Sequence, residues 1–282
     1  MNNVIKVSLV VAAYQSSEFI AECLYSVLHQ DIEEWECIII DDGSLDNTYE
    51  LALGFSEIDS RFKVYQLNNC GPSKARNFGV SMAKGKYVLT LDSDDHISEN
   101  YCRLCLDEFE KSQDLVVVYG SVQNFGTVND FQFDGCNFFY RDHLLSNKIH
   151  VSGMYLKSNF LHVNGFDETM LVGYEDWEFY IRLLKNGGNV KQLKDAILYY
   201  RRKYISRNTN LEREKNDRTR VMNYIFTKNI TIYEKFFPSA LDVLVCNEKL
   251  KSPEIYYSYK GVLFILLVKI KKSIRKYLIN FS

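Results

Sequence analysis

The chain has 282 residues, of which 46% are hydrophobic and 25% are charged, with only 14 glycines and 3 prolines. This composition excludes disordered, collagen-like and repeat-polymer proteins, and the length allows one large domain with an ample core. The net charge of −2 provides no basic field for nucleic acid, so we expect no nucleic-acid partner.

Apolar strands and amphipathic helices alternate in the first third of the chain. Strands are predicted at 5–13, 36–40, 62–67 and 86–91, and helices at 18–30, 48–58 and 73–83. This rhythm is typical of right-handed βαβ units, which build a parallel sheet with helices on both faces. In such α/β sheets the ligand crevice lies beyond the carboxyl ends of the strands.

The rhythm is looser in the rest of the chain. We predict a strand at 115–119, irregular β structure or a lid at 123–140, a helix at 174–185, a strand at 196–202 and helices from 211 onward.

Seven scattered cysteines, an odd number, indicate reduced thiols rather than a disulfide framework. Cys102 and Cys105 form a CxxC pair with no second pair and no histidine cluster beside it. We therefore interpret them as small, partly buried residues of a helix rather than as a zinc or redox site.

The sequence contains no evident targeting or membrane-spanning segment. The apolar run at 7–13 is short and leads directly into Tyr14 and Glu18, which suits a buried strand better than a signal peptide. The longest apolar run, at 261–268, is far shorter than the roughly 20 residues that cross a bilayer. We expect a soluble, cytoplasmic protein.

Two predicted strands end in carboxylates. Asp92, Asp94 and Asp95 follow the fourth strand, where closely spaced hard oxygens suit a divalent cation bound to a nucleotide diphosphate. The turn at 41–44 follows the second strand and has two interpretations. Its carboxylates would contact a base or ribose, or the turn would cap the next helix, and Gly43 would permit a positive φ in either case.

Two helix starts carry charged residues. The helix after Gly71 has Arg76 in its first turns, which would face an anion or brace the acidic strand ends from within. The helix near 174–178 opens with acids around Trp177, which would complement the helix dipole. Alternatively, Trp177 would stack on a sugar ring while a neighbouring carboxylate acts as a general base.

Five signatures in this order resemble the inverting family 2 glycosyltransferases of GT-A fold. They lie at 7–14, 41–48, 69–79, 83–95 and 165–177, and the resemblance covers residues 5–206. It implies a GT-A, Rossmann-like α/β fold, in which a mostly parallel sheet is flanked by helices, with a helical C-terminal extension.

The resemblance also implies roles for the matched residues. The nucleotide would be bound by Ala13, Tyr14, Asp41, Asp42, Arg76 and Asp92, with one aspartate on the uracil imide. Asp94 would be the principal ligand of Mn²⁺ or Mg²⁺, and Asp176 would be the general base that deprotonates the acceptor hydroxyl, supported by Glu175. Residues near the diphosphate or acceptor would be Trp177, Arg201 or its neighbours Arg202 and Lys203, and Ser206.

The chain departs from the family pattern at three points. Ala12 stands where the family usually has proline, and Gln15 stands in place of asparagine. No histidine follows His162, so a downstream histidine ligand of the kind some relatives use is absent. Metal binding would therefore depend on Asp94 and the diphosphate.

The function expected from this resemblance is metal-dependent transfer of a sugar from a nucleotide-sugar to an acceptor hydroxyl. A UDP-sugar donor, a β-glycosidic product and a glycan or lipid-linked glycan acceptor would place the enzyme in cell-surface polysaccharide or glycolipid biosynthesis. The alternative is a non-catalytic nucleotide-sugar or glycan-binding protein on the same fold. The expected domains are 1–207, with a nucleotide-binding half at 1–110 and an acceptor-binding half at 111–207, and an extension at 208–282.

The extension ends in a basic segment with apolar residues at helical spacing. No acidic residue follows Glu254, whereas 260–282 contains six lysines and arginines. Such a helix would lie on an anionic membrane at the inner face of the cell membrane, or it would pack on the catalytic domain with its cations solvated.

Overall fold

A computed structural model of the chain describes residues 4–133, 135, 137–203, 215–239 and 242. Its described residues fall into two compact units, one from 4–138 and 149–203, the other from 139–148, 215–239 and 242. The expected first domain, 1–207, includes 139–148, which the structure groups with the second unit. There the Tyr233 hydroxyl donates a hydrogen bond to the Leu144 carbonyl at 2.8 Å.

The described residues contain nine strands and nine helices. The strands are β1 (Val7–Ala13), β2 (Trp35–Asp41), β3 (Phe62–Gln66), β4 (Tyr87–Asp92), β5 (His96–Ile97), β6 (Leu115–Gly126), β7 (Phe131–Gln132), β8 (Met154–Leu156) and β9 (Asn189–Arg202). The helices are α1 (Ile20–Leu28), α2 (Thr48–Ile58), α3 (Pro72–Met82), α4 (Tyr101–Lys111), α5 (Tyr140–His143), α6 (Lys157–His162), α7 (Glu175–Leu183), α8 (Lys215–Lys228) and α9 (Ile230–Phe236).

The strands of the first unit form one sheet in the order β3-β2-β1-β4-β8-β6-β9-β5, with β7 paired to β6. β1 runs parallel to both β2 and β4, and β2 runs parallel to β3. The predicted βαβ organisation is therefore confirmed for the first four strands. The sheet as a whole is mixed, because the short strand β8 lies antiparallel to both β4 and β6.

Alternation along β1 directs its side chains to two helical layers. Val7, Leu9 and Val11 belong to the core cluster that includes the buried residues of α1. On the opposite face a Cβ added to Gly79 of α3 would lie 2.4 Å from Cγ1 of Val10, so this glycine lets α3 lie close against the sheet. Helices thus cover both faces, as predicted, and the carboxyl ends of the strands stay accessible.

The strands in the second half of the chain differ most from the predicted bounds. The strand predicted at 115–119 continues to Gly126, because it pairs with β9 as far as Gly126 and Arg202. The segment at 123–140, predicted as irregular β structure or a lid, thus contains the end of β6 and the short strand β7. β9 likewise begins at Asn189 rather than at 196. Cys102 and Cys105 lie in α4, as expected, but both are fully buried rather than partly buried. The described cysteines are free thiols.

The second unit contains α5, α8 and α9, which agrees with the helices predicted from 211 onward for the part that is described. None of the described helices is both long and apolar enough to cross a membrane. Ser206 and the basic segment at 260–282 lie outside the described residues.

A buried carboxylate joins three strands at the end of the sheet opposite the carboxyl edge. Glu36 is 1% exposed and accepts hydrogen bonds from the Ser8 hydroxyl (2.8 Å), the Lys63 ammonium (2.7 Å) and the Lys84 N–H (2.6 Å). Burial alone would raise the pKa of Glu36, but these donors together hold it below its ordinary value.

We expect Glu36→Gln to lower the free energy of unfolding by about 1–3 kcal/mol at neutral pH, because a charge-assisted network is lost. A depressed carboxyl pKa adds stability above the unfolded-state pKa and loses it as the pH falls, so the difference should shrink under acid conditions. Urea unfolding of wild type and Glu36→Gln at neutral and at acid pH measures the loss of stability and its dependence on pH. Glu34→Gln, which breaks the exposed pair with Lys6, serves as the control and should have little effect.

Candidate active site

A cleft of about 590 Å³ opens at the carboxyl ends of β1 and β4. Of the residues expected to act, those that line it are Ala13, Tyr14, Asp42, Arg76, Asp92, Asp94, Arg201 and Lys203. The other described candidates, Asp41, Glu175, Asp176, Trp177 and Arg202, are not among its lining residues. The cleft therefore gathers most of the expected nucleotide and metal residues, while the start of α7 lies outside its lining.

Asp42 lies in the inner wall of the cleft and is hydrogen-bonded to the loop ahead of α3. Its N–H donates to the Ala13 carbonyl at 2.8 Å, and its carboxylate accepts the N–H groups of Cys70 and Gly71, both at 2.7 Å. The Cys70 thiol, 3.1 Å from the same carboxylate, is kept neutral because burial and this hydrogen bond raise its pKa to about 11. Asp42 thus fixes the loop ahead of α3 while facing the cleft.

Asp41 has a different position from its neighbour. It is fully buried, and its Oδ2 accepts hydrogen bonds from the Ser44 N–H (3.2 Å) and the Gln66 amide (3.0 Å). Its Oδ1 has no hydrogen-bond partner among the described residues. Asp41 therefore shapes the turn, whereas Asp42 alone of the pair lines the cleft.

The rim of the cleft is built from tight backbone turns. Gly43 has φ +76°, as the sequence predicted, and a Cβ there would lie 3.0 Å from the Asn69 nitrogen. Tyr14 is 44% exposed at the rim, and its hydroxyl accepts a hydrogen bond from the Asn69 amide at 3.4 Å. An exposed aromatic ring beside a carboxylate suits a planar base.

Three carboxylates meet at the end of β4. One oxygen each of Asp92, Asp94 and Asp95 lies within 4.8 Å of the others. Asp95 is 2% exposed, and its Oδ1 accepts the Arg201 N–H at 2.8 Å, but its Oδ2 has no partner in the described part of the chain. Burial, followed by the charges of Asp94 and Asp92, raises the pKa of Asp95 well above its ordinary value.

This arrangement fits a divalent cation. An unsatisfied buried oxygen beside two further carboxylates offers the hard donor set that Mn²⁺ and Mg²⁺ prefer. The acidic motif indicated Asp95 as one of three possible oxygen donors, but its burial could not be deduced from the motif.

Cations at the end of β9 surround the acidic turn. Lys203 Nζ lies 2.7 Å from Asp94 Oδ2. Arg201 donates from Nε to the Asp94 carbonyl at 2.9 Å, pairs with Glu22, and stacks between the Phe19 and Phe125 rings. The neighbouring Arg202 is exposed and does not line the cleft.

Arg76 connects the acidic turn to α7. It is 2% exposed and donates to Asp92 Oδ1 at 2.5 Å and to Glu175 Oε1 at 2.8 Å. Burial would lower the pKa of Arg76, but the two carboxylates raise it above its ordinary value. These contacts agree with the interpretation in which Arg76 braces the acidic strand ends from within.

The first turn of α7 follows a left-handed residue, Tyr174, with φ +60°. Asp176 is half-buried, and its Oδ1 accepts the Trp177 N–H at 2.7 Å. Trp177 is only 3% exposed and contacts the Tyr174 ring edge-on at 5.9 Å. The expected sugar-stacking role of Trp177 is therefore corrected: the helix phase directs this ring into the core.

Comparisons with known proteins agree with the geometry. A family model described as glycosyl transferase family 2 matches residues 8–161, more than half of the chain, and a model of the N-terminal domain of galactosyltransferase matches 151–205. The hyaluronan synthase of Pasteurella multocida is 32% identical over 190 residues, which are 66% of this chain and 19% of that protein. The chain spans 19–43% of the length of the first three curated relatives that it matches.

Two solved structures share the fold. The crystal structure of S. aureus TarS 1-349 in complex with UDP-GlcNAc has a TM-score of 0.67 at 22% identity, over 90% of this chain and 70% of that one. The mannosyltransferase PcManGT from Pyrobaculum calidifontis, in complex with GDP-Man and Mn²⁺, has a TM-score of 0.62 at 15% identity, over 99% and 86% of the two chains. The expected GT-A fold is confirmed.

We expect Asp95→Asn to stabilise the metal-free protein, because it removes one of three crowded charges and keeps an acceptor for the Arg201 N–H. Thermal unfolding in EDTA measures the gain, about 2–4 °C for each kcal/mol. Added Mn²⁺ should stabilise the wild type more than this variant. Asp114→Asn, which removes one negative charge at an exposed position, is the control. An unchanged or lowered midpoint for Asp95→Asn in EDTA would contradict the charge-crowding argument.

Arg76→Lys should lower the free energy of unfolding by about 1–3 kcal/mol, because one ammonium group cannot replace the two guanidinium contacts with opposed carboxylates. Urea unfolding measures the loss. Arg103→Lys at the exposed pair with Asp31 is the matched control and should be nearly neutral. Equal stability of wild type and Arg76→Lys would show that the bridge carries no energetic weight.

Proposed function

This chain belongs to glycosyltransferase family 2, and on that premise we propose that it transfers a sugar from a UDP-sugar to a glycan hydroxyl with inversion, forming a β-glycosidic bond. The observation that carries the proposal is the Arg76 bridge, which joins the carboxylate cluster in the cleft to the helix turn that holds Asp176. Donor, metal and base would then act at one edge of the sheet.

The proposed donor site uses the inner wall and rim of the cleft. Tyr14 would cover the base, and the Asp42 carboxylate would accept the imide N–H of uracil through lone pairs not used by the loop amides. Ala13 and Arg76 would complete the nucleotide contacts, and Asp41 would act by holding the turn. A structural neighbour that binds UDP-GlcNAc supports a nucleotide-sugar of this class.

Asp92, Asp94 and Asp95 would hold Mn²⁺ or Mg²⁺ in this proposal, and a neighbour that binds Mn²⁺ supports the cation. When bound, such a cation neutralises charge on the leaving diphosphate. Arg201 lies on the same rim and would add positive charge there, while Ser206, beyond the described residues, and the exposed Arg202 are assigned by resemblance alone.

Asp176 would accept the proton of the acceptor hydroxyl as its oxygen bonds to the anomeric carbon. The bond from that carbon to the diphosphate breaks, and the electron pair leaves with UDP. Attack opposite the leaving group converts an α-linked donor into a β product. Glu175, fixed by Arg76, would keep the Asp176 turn in place.

The wider assignment follows the relatives. Similarity to a hyaluronan synthase supports a role in polysaccharide synthesis, with a glycan or lipid-linked acceptor bound by 111–207 and the nucleotide bound by 1–110. Residues 208–282 would then form an extension whose basic end contacts the inner face of the cell membrane from the cytoplasm.

Asp176→Asn should lower UDP release by about 10²–10⁴-fold, because the general base is lost, and should leave UDP affinity unchanged, because Asp176 does not line the cleft. UDP release is measured over a panel of UDP-sugars and acceptors with Mn²⁺ and with EDTA. Asp195→Asn, an exposed change on the same unit, is the control.

Wild-type rates in the Asp176→Asn variant would refute the base assignment, and activity retained in EDTA would refute the metal assignment. UDP binding without turnover across the panel would favour the non-catalytic, sugar-nucleotide-binding alternative.

A further inference from the structure

Lys203 has contacts that place it in competition with a divalent cation. It follows β9 directly and lines the cleft. Its Nζ lies 2.7 Å from Asp94 Oδ2, with the two side chains 29% and 33% exposed. The same ammonium lies 3.9 Å from the centre of the Phe19 ring, which attracts cations through its face.

The other nearby cations are bound elsewhere in the site. Arg76 is buried between Asp92 and Glu175, and Arg201 donates its Nε to the Asp94 carbonyl rather than to the carboxylate. Of the cations in the described part of the chain, Lys203 alone forms an ion pair with the Asp94 carboxylate. It is thus the counter-ion of the most exposed member of the acidic cluster.

An ammonium group and a divalent cation repel each other and cannot share one carboxylate oxygen. Lysine carries its charge on a flexible four-carbon stem, so it can leave Asp94 without movement of the backbone. Asp94 is also the residue expected to bind the metal. Lys203 and Mn²⁺ would therefore compete for the negative charge of Asp94, and the presence of one would weaken the binding of the other.

We propose that Lys203 is a resident counter-ion of Asp94, that it leaves when a divalent cation binds, and that the released ammonium then contacts the donor diphosphate. This rests on the proposed function, which supplies the metal and the diphosphate. Lys203 is accordingly a positioning residue that opposes metal binding in the empty cleft and favours nucleotide binding in the metal-loaded one.

The proposal predicts that removing the Lys203 ammonium raises the affinity for Mn²⁺ and lowers the affinity for UDP. Removing the ammonium leaves Asp94 without its competitor, so Mn²⁺ binds more tightly when no nucleotide is present. The same change removes a positive charge from the diphosphate, so UDP binds more weakly when Mn²⁺ is saturating. A residue with a merely structural role would weaken both.

The test uses the full chain and Mn²⁺ alone, followed by UDP with saturating Mn²⁺. Free Mn²⁺ is measured by electron paramagnetic resonance, and UDP affinity is measured by titration calorimetry. For Lys203→Met we expect a Kd for Mn²⁺ lower by about 3- to 10-fold and a Kd for UDP higher by about 3- to 10-fold, in keeping with a partly exposed ion pair.

Matched variants separate charge from structure. Lys194→Met removes one exposed cation from the same strand and should behave as wild type. Lys203→Arg keeps the charge and should bind Mn²⁺ as weakly as wild type. Lys203→Gln also removes the charge and should give the result expected for Lys203→Met. It replaces Lys203→Met if the methionine variant folds poorly. Thermal unfolding midpoints confirm that the compared variants are folded.

Unchanged or weaker Mn²⁺ binding by both neutral variants would overturn the proposal. If the neutral variants bind Mn²⁺ no more tightly than wild type but Asp94→Asn abolishes Mn²⁺ binding, the metal site is supported and the proposal for Lys203 is overturned. Tighter Mn²⁺ binding with unchanged UDP affinity would overturn the release to the diphosphate. Absence of Mn²⁺ binding in every variant, with and without UDP, would overturn both the metal assignment and this inference.

Discussion

The arrangement of the whole site depends on one buried cation, Arg76. Its guanidinium faces Asp92 on one side and Glu175 on the other, and neither the buried guanidinium nor the buried Glu175 carboxylate would be stable there without a charged partner. Asp92 ends a central strand, whereas Glu175 begins a helix 83 positions later in the chain. The rigid, planar fork of arginine therefore sets the distance between the acidic turn and the turn that carries Asp176.

Around this fixed bridge, the remaining negative charge is balanced by groups of different mobility. Backbone N–H groups hold Asp42 and one oxygen of Asp95, and these donors cannot leave without unfolding the turn. Among the described residues, Lys203 is held by an ion pair at the rim and by a ring face. The cleft thus combines a wall held by backbone hydrogen bonds around Asp42 with an acidic cluster whose counter-ion at Asp94 is a side chain of the rim. Asp95 Oδ2, which has no hydrogen-bond partner among the residues that the structure describes, indicates that the cluster favours a ligand over maximal stability.

The sequence allowed prediction of the first half of the fold, because local periodicity there coincides with the final pairing. Helix α2 has the predicted bounds, and no end of β1 to β4 differs from its predicted position by more than two residues. The long pairing of β6 with β9 was not predictable, since it joins segments about 75 residues apart through polar as well as apolar positions. In the site, the motifs indicated the acidic turn and the two interpretations of Arg76. They could not reveal that Asp41 faces inward while Asp42 faces the cleft, or that Trp177 is buried, because these depend on the rotation of each element about its axis.

The pairing of β6 with β9 also has a consequence for the order in which the protein folds. The wall of the cleft around Asp42 is built from contacts between neighbouring βαβ units, which close comparatively short loops. The Asp95 carboxylate receives its donor from Arg201, 106 residues away, so the acidic turn is completed only when β9 joins the sheet. Before β9 pairs with β6, the Asp95 carboxylate lacks this donor, and the three crowded carboxylates of the acidic turn have less compensating charge and hydrogen bonding. The loop around Asp42 therefore depends on contacts close in the sequence, whereas the acidic turn depends on a long-range strand pairing.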